Sequence, residues 1–87
     1  MYDYKKIRPE IFTEDGQLMF LKIRDRSKAL IKNSGAAMLG HIISNCTGDS
    51  WLMMACVDRL VEIGELTEIK NSDNAWAQHR LFIEGRQ

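Results

Sequence analysis

The sequence predicts a mainly α chain with a small β-hairpin, an α+β arrangement of three helices followed by two strands. Apolar residues recur at helical spacing in three segments between Thr13 and Gly64, and after Gly64 the spacing shortens from 3.6 to 2. Within Gly35 to Leu66 two short apolar-striped helices are joined by a tight turn and closed by a glycine. That stretch reads as a helix-turn-helix, and the rest of the chain is organised around it.

The first dozen residues, MYDYKKIRPEIF, mix aromatic side chains, three basic residues and the only proline. Pro9 disfavours the helical region at Arg8, so residues 1–12 read as an N-terminal arm and residues 13–85 as the folded domain. Ile7, Ile11 and Phe12 are expected to dock on the helix that follows. Lys5, Lys6 and Arg8 could touch phosphate, although short basic arms are commonly just solvated.

The next element is the longest. Thr13 is a candidate N-cap with Glu14 and Asp15 in the first turn, and the helix is expected to run to about Asn33 before Ser34-Gly35 ends it. Met19, Phe20, Ile23, Ser27, Leu30 and Ile31 form its core stripe. Leu18, Leu21 and Ala29 lie off that stripe. This second apolar patch suggests either the N-terminal arm folding over it or a second subunit, with Leu18 and Leu21 as the dimer contact. Lys22, Arg24, Arg26, Lys28 and Lys32 surround the helix, which reads as a solvated surface more than as a phosphate-binding ridge.

The first helix of the pair is expected from about Ala36 to Asn45. Ala37, Met38, Ile42 and Cys46, or Leu39 and Ile43, turn inward, and so apolar a helix should be buried on most sides. In the second helix, Met53, Cys56, Val57, Leu60 and Gly64 fall within roughly 60° of one line at about 100° per residue. Thr47, followed by Gly48, Asp49 and Ser50, supplies an N-cap oxygen with a first-turn carboxylate after it. Gly64 stops the helix, since it takes positive φ without steric cost. The opposite side carries Trp51, Ala55, Asp58 and Glu62.

Leu66 to Ile69 reads as a strand, Lys70 to Asn74 as a polar loop and Ala75 to Glu84 as the returning strand. Ala77, His79, Leu81 and Ile83 share one face of that strand; Trp76, Gln78, Arg80 and Phe82 share the other. Both faces carry large apolar groups, so Trp76 and Phe82 are expected to be only partly shielded.

Among 87 residues, 12 Lys and Arg balance 12 Asp and Glu, so no global field draws the chain to nucleic acid or to an acidic membrane surface. The distribution says more. Residues 1–33 carry a net +3, residues 34–66 a net −3, and residues 67–87 balance. No apolar run is as long as a membrane span and the first residues are no secretory leader, so the expectation is a soluble, cytoplasmic protein. Cys46 and Cys56 make no disulfide framework and read as small apolar residues in or near the core.

The order helix, helix, turn, helix, strand pair, with Val57-Asp58-Arg59-Leu60-Val61-Glu62-Ile63-Gly64-Glu65-Leu66 at its centre, resembles the winged-helix family. In that family an apolar-x-x-Leu-x-x-x-Gly-x-Leu stretch closes the recognition helix and enters the first wing strand. The likeness covers about residues 14–84 and implies a three-helix winged-helix fold with an N-terminal arm. It implies less about function, because winged helices serve both as DNA readers and as protein-protein modules. The family's DNA-binding mode would turn Asp49, Ser50, Trp51, Met54, Ala55 and Asp58 to the major groove, with Lys70 to Asn74 as the wing.

Those residues fit DNA badly. Guanine and phosphate call for Arg or Lys and adenine for amides, whereas this surface offers carboxylates, a tryptophan and a methionine, with Arg59 at its edge. Trp51 and Met54 resemble interface anchors instead, or Trp51 folds over the turn within the monomer. His41, Cys46, Cys56 and His79 show no metal-ligand spacing, and there is no phosphate loop, nucleophile elbow or apolar carboxylate pair. No enzyme activity, cofactor, metal or small-molecule ligand is implied.

Two functions stay open. One is a small DNA-binding transcriptional regulator or accessory factor that uses the basic first third with Arg59, Lys70 and Arg80. The other is a protein-protein interaction module, a degenerate winged helix and candidate homodimer, that uses the acidic Trp51 face.

Overall fold

Four helices and a three-stranded antiparallel sheet make up the computed structural model, which describes residues 1–44, 46–69 and 80–85. The α+β class read from the sequence is the class observed. In chain order the elements are α1 (Tyr4–Ile11), α2 (Glu14–Ser34), β1 (Ala37–Met38), α3 (Leu39–Ile43), α4 (Ser50–Glu62), β2 (Leu66–Ile69) and β3 (Leu81–Glu84).

The N-terminal segment is helical. Asp3 caps α1 by accepting from the Lys5 amide at 3.0 Å, and Pro9 sits inside the helix. Local preference at Arg8 is overridden by packing: Ile7 and Ile11, four residues apart, turn to the core, and Ile11 is buried. The joint to α2 is tight. Thr13 Oγ1 accepts from the Gly16 amide at 3.0 Å and donates to the Glu10 carbonyl at 2.8 Å, while Gln17 Nε2 donates to the Ile11 carbonyl at 2.7 Å. A Cβ on Gly16 would lie 1.9 Å from the Glu10 carbonyl oxygen, so only glycine allows this approach.

α2 starts at its expected cap and ends on Gly35 at φ 82°. Ile23, Ser27 and Ile31 are its buried residues beyond Gly16, with Met19, Phe20 and Leu30 packed beside them, which is the stripe the spacing predicts. The helix expected from Ala36 is much shorter. Ala37 and Met38 instead form β1, pairing with Phe82 and Leu81 of β3, and only Leu39–Ile43 is helical. Both residues are good helix formers, so the exposed edge of β3 wins over local preference here. Arg26 of α2 closes the end of α3, donating to the Ile42 and His41 carbonyls at 2.8 and 2.9 Å.

α4 is capped by Asp49, not by Thr47: Asp49 Oδ1 accepts from the Trp51 amide at 2.9 Å. At its other end Gly64 takes φ 81° and the Glu65 amide donates to the Leu60 carbonyl at 2.8 Å, a glycine-closed end. Met53, Cys56, Val57 and Leu60 are buried as the wheel predicts.

β3 lies between β1 and β2, with Leu66 opposite Glu84 and Ile69 opposite Leu81. Phe82 is fully buried, against the partial shielding expected of it, because it sits on the central strand and joins the core cluster. Asn45, the loop 70–74 and the strand start expected at 75–79, with Trp76 and His79, lie outside the described residues. Among the described residues no helix is long and apolar enough to cross a membrane.

Candidate functional site

The outward face of α4 is where the sequence places contact residues, and the structure divides that face in two. Its first turn is open. Asp49, Ser50 and Trp51 are exposed, the tryptophan at 42 %, and Met54 is half-buried against the core.

The later turns are closed by the chain itself. Ala55, expected to face outward, is fully buried. One turn on, the Tyr2 hydroxyl donates to Asp58 Oδ2 at 2.5 Å and Arg80 Nη2 donates to Asp58 Oδ1 at 2.6 Å. Arg80 also grips Glu68 with two hydrogen bonds, at 2.7 and 3.0 Å, in the fork geometry that suits guanidinium and carboxylate. A chain of contacts thus runs from the N-terminal residues through α4 to β2. A turn further, Glu62 Oε1 accepts from Tyr4 at 3.1 Å, Arg8 at 3.1 Å and Arg59 at 2.6 Å. The guanidinium carbons of Arg8 and Arg59 lie 5.1 and 5.3 Å from the centre of the Phe12 ring.

These contacts fix the charge states of the cover. Burial, then the hydrogen bond to Asp58, pushes the Tyr2 hydroxyl far above the usual tyrosine range, and burial with Glu62 raises that of Tyr4. Arg59 first and Arg8 second hold the Glu62 carboxyl below its ordinary value. Glu68 and Asp58 raise Arg80, which stays charged at any working pH.

Asp58, Arg59 and Arg80, three of the residues assigned to nucleic-acid or partner contact, are therefore committed to internal pairs. Asp49, Ser50, Trp51 and Met54 come together at the start of α4, and Lys70 lies outside the described residues. Tyr2 and Tyr4 are not legible as site residues in the sequence, and Arg8, a candidate phosphate contact there, is bonded to Glu62. Tyr4, Ile7, Arg8 and Ile11 are spaced for one helical face, a signal that Pro9 masks.

On α2, Leu18 and Leu21 stay exposed at 61 % and 42 %, since the N-terminal segment packs on α4 and on the start of α2 and leaves them bare. An open depression of about 730 Å³ lies between the C-terminal ends of α2 and α4, where Lys28 Nζ meets Glu65 Oε2 at 2.7 Å. Among the described residues no three His, Cys, Asp or Glu side chains gather as a metal would need. No family model matches the chain, and neither does any curated protein or solved structure.

Proposed function

We propose that the chain is a winged-helix interaction module whose contact surface is the open first turn of α4, and that its partner is a protein. The element order, with the third strand β1 between α2 and α3, supports the winged-helix assignment. One observation carries the choice of partner. The face of α4 that a DNA reader would lay in the major groove has its carboxylates bonded to Tyr2, Tyr4, Arg8 and Arg80. Entry into a groove would require α1 to leave and would expose Asp58 and Glu62 to phosphate. Trp51, flanked by Asp49 and Ser50, has the character of a protein anchor: a large rigid apolar surface with polar groups at its rim.

The competing reading is a DNA-binding regulator, for which exposed Lys5 and Lys6 on α1 would supply phosphate contacts. Fluorescence anisotropy with a generic duplex, at low and at physiological salt, separates the two. A protein-binding module gives no signal at about 10 µM protein even in low salt, within the range where non-specific DNA binding is ordinarily seen. Clear low-salt binding that collapses as salt rises would overturn the protein reading and restore the DNA one.

A further inference from the structure

The outer face of α2 is separate from the α4 surface and points away from Ile23, Ser27 and Ile31. Along it Glu14, Leu21 and Lys28 recur every seventh residue, which on a helix keeps them within about 20° of one another per step. Leu18 lies one turn before Leu21. All four side chains are exposed. The segment of this chain that could have covered the two leucines is engaged elsewhere, since Tyr2, Tyr4 and Arg8 are bonded to α4.

We propose that this face pairs with the same face of a second copy, antiparallel, about a two-fold axis that passes through Leu21. The order of charges selects that arrangement. Glu14 and Lys28 stand about 10.5 Å on either side of Leu21 along the helix, so an antiparallel two-fold sets Glu14 of each copy opposite Lys28 of the other. A parallel pair would set Glu14 against Glu14 and Lys28 against Lys28. An axis moved to the midpoint of Leu18 and Leu21 would set Glu14 against Asp25, again like against like. With Leu21 on the axis, the leucines of both copies form an apolar centre and an opposite-charge pair closes each end. Lys28 pairs with its own Glu65 but keeps 54 % of its side chain exposed, so its ammonium can serve both carboxylates. The contact is one helix wide and about 31 Å long for 21 residues, which places it among small, reversible interfaces.

The test is molar mass in solution by sedimentation equilibrium, from about 1 to about 300 µM protein. The chain should shift from monomer to dimer across that range. Leu21→Asp should leave a monomer throughout, with an unchanged circular dichroism spectrum because the residue is exposed. Glu14→Lys and Lys28→Glu should each raise the dissociation constant about tenfold, two symmetry-related pairs being lost at once, and the double exchange should return it close to the original value. A monomer at every concentration overturns the proposal, and so does a dimer that survives Leu21→Asp. A dimer lost with Leu21→Asp but indifferent to both charge reversals overturns the antiparallel arrangement about Leu21. Because the readout is self-association, the result stands whichever way the DNA experiment falls.

Discussion

The two long helices each turn a second face away from the core, and the chain treats those faces oppositely. On α4 the outward face beyond the first turn is a small residue and two carboxylates, and it is closed: Ala55 is buried, Asp58 takes Tyr2 and Arg80, and Glu62 takes Tyr4, Arg8 and Arg59. On α2 it is two leucines between charges, and it is bare. The comparison shows that apolar character alone does not decide which back face is covered. The cover went to the face that offers Tyr2, Tyr4 and Arg8 specific acceptors, while the apolar face stays exposed.

The sharpest break in that comparison is a pair of acidic substitutions. Ala55→Glu places an unpaired charge in a fully buried position and should cost about 3 kcal/mol or more. Leu21→Asp, on exposed α2, should change monomer stability by no more than about 0.5 kcal/mol. Urea unfolding of both variants at low protein concentration checks the contrast. Gly16→Ala should follow Ala55→Glu in size, at about 2 kcal/mol, since its methyl would meet the Glu10 carbonyl and force α1 away from α2. Next, Tyr2→Phe removes one hydrogen bond to a carboxylate that keeps Arg80, and should cost about 1 kcal/mol in the same assay.

The pH dependence follows from the same cover. Both tyrosine hydroxyls are raised above their unfolded value of 10.0, so the stability they add is whole below that pH and is lost as pH rises beyond it. Burial of Cys56, pushed up to about 12 from 9.0, acts in the same direction and begins its loss one unit lower. Melting temperature should therefore fall above about pH 9, and the Tyr2→Phe, Tyr4→Phe double variant should flatten the part of the fall that lies above about pH 10.

The long helices were legible because each carries its own period and its own stops. Thr13 and Gly35 bound α2 as read, and Gly64 ends α4. The short pieces were not legible. Ala37 and Met38 become a strand only because β3 offers an edge to pair with, which no local pattern records. α1 was hidden by Pro9, whose local effect is real but smaller than the gain from seating Ile7 and Ile11 on the core. At the site, the wheel places Trp51 outward but leaves open whether it folds over the turn, and the structure leaves it exposed. The pairing of Asp58 with Tyr2, and of Glu62 with Tyr4 and Arg8, was not readable, because it joins residues more than fifty positions apart. Those carboxylates have internal partners.

α1 is a fixed cover on α4, and amide hydrogen exchange of the intact chain is the measurement that bears on it. Protection at Ile7, Arg8 and Ile11 should approach that of α4 and should fall when Tyr2 and Tyr4 are both changed to Phe. Exchange at these three amides as fast as in an unfolded chain, with α4 still protected, would contradict it.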